Sequence, residues 1–119
     1  MIAADVPSEP GVYVWYRDGR AIYVGKAMNL HGRVWKKHMG LGAVMTGSAF
    51  RRNVAAHLGI ASAADIKARR YLPTGRDVTL VNSWIRRCSV AWIVCRTPDD
   101  AIDLEQRMKR EWMPPLTKI

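Results

Sequence analysis

The chain reads as one α/β domain. Three observations carry that reading: a β-hairpin signal over residues 11–25, a middle stretch whose apolar residues recur at helical spacing, and an unbroken apolar strand followed at once by a strong helix start. Its 119 residues suffice for one domain with a modest core held by neither metal nor disulfide. No repeat, linker or shift in composition divides it, so residues 1–119 form one unit.

The hairpin comprises Val12-Tyr13-Val14-Trp15-Tyr16, a turn at Arg17-Asp18-Gly19, and Ala21-Ile22-Tyr23-Val24-Gly25. Loop length sets its register, and register sets which residues share a face. A two-residue Asp18-Gly19 loop puts Tyr13 opposite Val24 and mixes tyrosines with aliphatics on both faces. A three-residue loop, with Gly19 left-handed in a bulge, puts Tyr13 opposite Tyr23. Val12, Val14, Ile22 and Val24 then share one face, while Tyr13, Trp15, Ala21, Tyr23 and Gly25 share the other, so the second register is expected. It brings two phenols together beside a glycine that leaves room for a ligand. An ordinary cross-strand aromatic pair is the plainer account.

Helices follow. Asn29 caps one that carries Leu30, Val34 and Lys37 and stops near Gly40 and Gly42. Another begins after Ser48, with Phe50, Val54 and Leu58 four apart, and ends at Gly59. A weaker one spans Ala63 to Tyr71, and Val78, Val81 and Ile85 mark a further amphipathic stretch running to Arg87. Val90 to Cys95 is apolar without alternation, which predicts a strand covered on both faces. Thr97-Pro98-Asp99-Asp100 then supplies a capping hydroxyl, a first-turn proline and two acids at the positive end of the helix dipole. That helix runs to about Trp112 and is stopped by Pro114-Pro115.

Charge narrows the function. Nineteen lysines and arginines against ten acids give a net charge of +9, which favours a polyanionic partner such as nucleic acid. No apolar run approaches a bilayer span, and residues 1–10 lack the hydrophobic block of a signal peptide, so no membrane partner is expected. Cys88 and Cys95 form neither a zinc pattern nor a disulfide framework, which suggests a reducing, cytoplasmic setting.

Two features carry chemistry. Lys26, Asn29, Arg33, Lys36 and Lys37 follow directly on Tyr23, and Arg33 and Lys37 share a helical face. A guanidinium fork matches phosphate oxygens, with lysines as point charges nearby. Glu105 lies within the apolar stripe Ala101, Leu104, Met108 and Trp112 of the last helix. A carboxylate facing a core needs a partner, and either a buried arginine or a hard divalent cation would serve. Together these are the parts of a phosphoryl-transfer site: cationic donors, a metal-holding carboxylate, and a group to activate or orient water. A tyrosine could be that group if nearby cations lower its pKa from about 10.

The sequence resembles the GIY-YIG endonuclease family. Gly11-Val12-Tyr13 and Tyr23-Val24-Gly25 are similar to its two name-giving tripeptides. The run from Tyr23 to Leu30 followed by Arg33 resembles the nuclease domain of the bacterial excision-repair incision subunit. Leu104-Glu105 and Pro114-Pro115-Leu116 resemble the glutamate and terminal motifs, so the likeness extends from Gly11 to Lys118. It implies a small three-stranded antiparallel sheet flanked by helices, here with an extra helical segment between the second and third strands. It also implies cleavage of DNA phosphodiesters with Mg²⁺ or Mn²⁺, RNA remaining open as a partner.

Carried over by position, Tyr13 and Tyr23 would activate or orient water, Arg33 would stabilise the transition state, and Glu105 would hold the metal. Lys26 would contact phosphate. Lys37 stands where many members have tyrosine or histidine, with His38 one residue off, and Thr117 replaces the usual asparagine. These three join Lys26, Arg51 and Arg52 as expected substrate contacts. Lys67, Arg69, Arg70, Arg86 and Arg87 suggest further DNA-gripping charge in the segment between Gly40 and Arg87. The alternative is a weak or inactive nucleic-acid-binding module on the same scaffold.

Overall fold

A computed structural model of the chain describes residues 6–38 and 48–117, residues 35–38 through their backbone alone. Strands β1 (Gly11–Arg17), β2 (Arg20–Ala27) and β3 (Ser89–Val94) form one antiparallel sheet in the order β2-β1-β3. Between β2 and β3 lie a π-helical segment (His31–His38) and helices α1 (Ala49–His57), α2 (Ala63–Lys67) and α3 (Gly75–Arg86). Helix α4 (Pro98–Glu111) and a 3₁₀ turn (Pro115–Thr117) close the described chain. The expected sheet, flanking helices and added helical segment are all present.

Local chemistry sets most boundaries. Ser48 Oγ accepts from Arg51 N at the start of α1, and Gly59, left-handed at φ 76°, follows its C-cap. Thr74 and Asp77 cap α3 reciprocally. Thr97 Oγ1 accepts from Asp100 N at the start of α4. The stop expected at Gly40 and Gly42 lies outside the described residues.

The hairpin corrects the sequence expectation. Its loop is two residues, Asp18 and Gly19, with φ of 52° and 75°, the left-handed pair that a tight twisted hairpin favours. Such a turn alone would mix the faces. A bulge restores them: Trp15 pairs with Tyr23 and Tyr16 with Ala21, leaving Ile22 as an extra residue in β2. Tyr13 therefore sits opposite Gly25, not Tyr23. Ile22 packs with the tyrosine face, whereas Ala21 packs with the valines, the reverse of the expected placing of those two residues.

The sheet separates two cores. Tyr13, Trp15 and Tyr23 pack with Leu30, Val34, Phe50, Val54, Ile66, Val81, Ile85 and Leu116 under the π segment and α1–α3. Val12, Val14 and Val24 pack with Ala101, Leu104 and Met108 under α4. Strand β3 departs from expectation. It pairs only with β1, and α4 covers β1 and β2, so Ala91, Ile93 and Val94 face outward while Val90 and Trp92 are half-buried. Trp112, expected in the α4 stripe, is exposed because the chain turns extended at that residue, φ −163°.

Candidate active site

Tyr13 and Tyr23 occupy adjacent strands on one face, their ring centroids 6.3 Å apart and their planes 24° from parallel. Gly25 makes this possible, because a Cβ there would overlap the Tyr13 ring and hydroxyl. The space expected for a ligand beside the glycine is filled by Tyr13 itself. Phe50 of α1 lies 5.0 Å from the Tyr23 ring and 4.8 Å from that of Trp15, setting the depth of the aromatic layer.

Both phenols are harder to ionise than an ordinary tyrosine, above all because they are buried. The Glu105 charge raises both and the Arg33 charge lowers both; Arg52 also lowers Tyr23. Desolvation outweighs the cations, so the expectation of a phenol lowered toward neutral pH is corrected. A side-chain hydrogen bond joins the two hydroxyls.

The shift has a measurable consequence at alkaline pH. Above pH ~10 the unfolded chain releases these protons while the folded chain retains them. Their contribution to stability is complete below that pH and is lost as pH rises toward the folded-state values. Denaturation midpoints followed from about pH 8 to 11 should fall less in a Tyr13→Phe, Tyr23→Phe protein than in wild type. Equal falls would contradict the assignment.

Glu105 is only 5% exposed and comes from α4, on the valine side of the sheet. Lysines pair with it in place of the arginine considered from sequence. Lys26 Nζ of β2 and Lys109 Nζ, one helical turn on, lie 3.5 and 3.4 Å from the same oxygen, Oε1. Their side chains are 47% and 35% exposed, so the arrangement opens to solvent. Lys109 was missed by sequence reasoning; its four-residue spacing from Glu105 was the available signal.

Arg33 is exposed, and with Lys26, Met28 and the first turns of α4 it lines a cleft of about 450 Å³. Of the other expected contacts, Arg52 lies near enough to Tyr23 for the two to influence each other's ionisation. Arg51 is a correction: it is 1% exposed and donates to Asn82 Oδ1 at 2.6 Å, tying α1 to α3 and not reaching solvent. Thr117 Oγ1 accepts from Val24 N at 2.9 Å, joining the 3₁₀ turn to the outer edge of β2. Asn53 Nδ2, buried, donates to Leu116 O at 2.7 Å and holds the same turn from α1. Arg70 pairs with Asp65 at 2.8 Å, while Lys67, Arg69, Arg86 and Arg87 are exposed. The side chains of Lys37 and His38 lie outside the described residues.

Among the described residues no group of three or more histidine, cysteine or acidic side chains could enclose a metal. The donor set suits an ion bound through one carboxylate with water and substrate oxygens completing its shell, which is how Mg²⁺ is commonly held. No helix among the described residues is long and apolar enough to cross a membrane.

The structure thus presents paired strand tyrosines, an exposed arginine on the segment after β2 and a buried glutamate on α4. The family model for the GIY-YIG catalytic domain matches residues 11–118, and the chain belongs to this family of endonucleases. Among individual relatives, it is 61% identical over 33 residues to UvrABC system protein C of two Bifidobacterium longum strains, DJO10A and NCC 2705. That stretch is 26% of the chain, which thus spans only 4% of the length of these curated relatives. The magnesium-bound N-terminal GIY-YIG endonuclease domain of UvrC from Thermotoga maritima is similar over 94% of this chain and 86% of that one, with TM-score 0.51 and 20% identity. A point mutant of that domain, bound to its catalytic divalent cation, gives the same TM-score at 19% identity. At such identity the likeness is one of fold.

Proposed function

We propose that the chain hydrolyses DNA phosphodiester bonds with a divalent cation, Mg²⁺ or Mn²⁺, held through Glu105. The observation supporting this reading most is that the buried Glu105 carboxylate meets Lys26 at 3.5 Å, and Lys26 lines one cleft with the exposed Arg33. A bound cation would act as a Lewis acid on the phosphate and orient its reacting groups. The protein's own groups do the rest. Arg33 donates to the phosphoryl oxygens as negative charge builds on them, and Lys26 adds a second positive charge at the same cleft. Tyr23, hydrogen-bonded to Tyr13, presents its hydroxyl to water or phosphate and orients the attack. Water oxygen bonds to phosphorus and gives up one proton to the surrounding solvent, while the bond to the leaving sugar oxygen breaks and that oxygen takes a proton from solvent.

Neutral phenols fit this role better than phenolates would, because burial holds both protonated at ordinary pH. A second reading, binding of nucleic acid without cleavage, is favoured by one feature: Lys26 and Lys109 already neutralise Glu105. Purified protein incubated with plasmid and branched DNA distinguishes the two. Nicking that requires Mg²⁺ or Mn²⁺ and stops with chelator is expected. A salt-sensitive gel shift with no cut product under any divalent cation would favour the binding module.

A further inference from the structure

A cleft of about 710 Å³ lies at the hairpin tip, apart from the one beside Arg33. Arg17, Arg20, Ile22, His57, Trp84 and Leu116 line it. Arg17 is held from two directions. Its Cζ lies 4.2 Å from the centroid of the Trp84 ring, and its Nη1 donates to the Trp84 carbonyl at 3.4 Å, in the last turn of α3 where the helix dipole is negative. His57, the last residue of α1, meets the same ring edge-on at 5.6 Å. The single carboxylate lining the cleft, Asp18, is 94% exposed and 4.0 Å from Arg17 Nε, too solvated to cancel the cations.

A guanidinium fixed over an aromatic ring has already lost much of its side-chain freedom, so its remaining donors bind an anion at lower entropic cost. Arg20 is exposed beside it. We propose that this cleft grips the backbone phosphate of the DNA strand flanking the cleaved bond, with Arg17 and Arg20 as donors and Trp84 as the residue that positions Arg17. The assignment rests on the nuclease reading, since the occupant is that reading's substrate. Arg20 lies three residues before Tyr23 on β2, about 10 Å along the strand, or about three base steps of a B-DNA strand. The grip therefore falls about three nucleotides from the cut.

Fluorescence anisotropy of metal-free protein with a labelled duplex, titrated over a range of salt concentrations, tests this. Arg17→Ala and Arg20→Ala should each weaken binding about fivefold to tenfold and lower the salt slope by about one. Trp84→Leu should behave like Arg17→Ala, whereas Trp84→Phe, which keeps a ring beneath the guanidinium, should retain the slope. Arg76→Ala, an exposed arginine on α3 outside the cleft, should leave it unchanged. Equal losses from Arg76 and Arg20 would mean diffuse surface charge and overturn the site. Unchanged affinity and slope in the Arg17 and Arg20 variants of a protein that does bind DNA would overturn it while sparing the nuclease reading. No DNA binding by wild type even at low salt would remove both.

Discussion

Glu105→Gln should reduce cleavage by about a thousandfold or more while leaving the fold intact. The substitution keeps the shape of the side chain and removes the charge on which metal binding depends, a loss of several kcal/mol of transition-state stabilisation. Truncating one member of a buried ion pair is usually destructive because it strands the other charge. Here the stranded groups are Lys26 and Lys109, both partly in water, so they can be resolvated. Thermal unfolding of the variant should therefore stay close to wild type, separating lost chemistry from lost structure. Plasmid nicking that continues undiminished would remove Glu105 from the mechanism.

Arg33→Ala should lower the cleavage rate by about 10²–10³-fold, the range for removing one donor from developing negative charge. Arg33 is exposed on the π segment and lines the cleft it shares with Lys26, so its loss should cost little stability. Arg33→Lys should recover only part of the rate, because an ammonium supplies charge without the planar fork. Single-turnover measurements at saturating DNA would show the loss in the chemical step. A loss confined to binding would assign Arg33 to substrate capture instead.

Much of the frame was legible before any coordinates. Ser48 and Thr97 cap their helices through contacts a few residues away, and such signals survive in sequence. The anomalous position of Glu105 on its stripe was also legible, since helical period alone places it. The hairpin register was not. A three-residue loop and a two-residue loop followed by a bulge put the same tyrosines and valines on their faces and differ only at Ala21 and Ile22, and nothing in Ile22 marks it as the extra residue. The depth of β3 was hidden for a different reason: an unbroken apolar run does not reveal whether a strand is central or at an edge. Strand order, a long-range property, decides that.

The site's charge state depended on long-range packing as well. Phenol ionisation follows burial depth, set by Phe50, α1 and the other helices stacked on the sheet. Arg51 and Arg52 are adjacent in sequence, yet one enters the core and the other lies near Tyr23. A charge run names candidates, and helical phase against the sheet divides them.

The unpaired Ile22 gives this hairpin one place where its length can change. Dropping that single codon would leave a regular two-residue hairpin in which Trp15 still pairs with Tyr23, so both phenols would keep their side of the sheet. The cost would fall on the apolar contacts Ile22 makes beneath the helices, and the alignment of the rings would survive it.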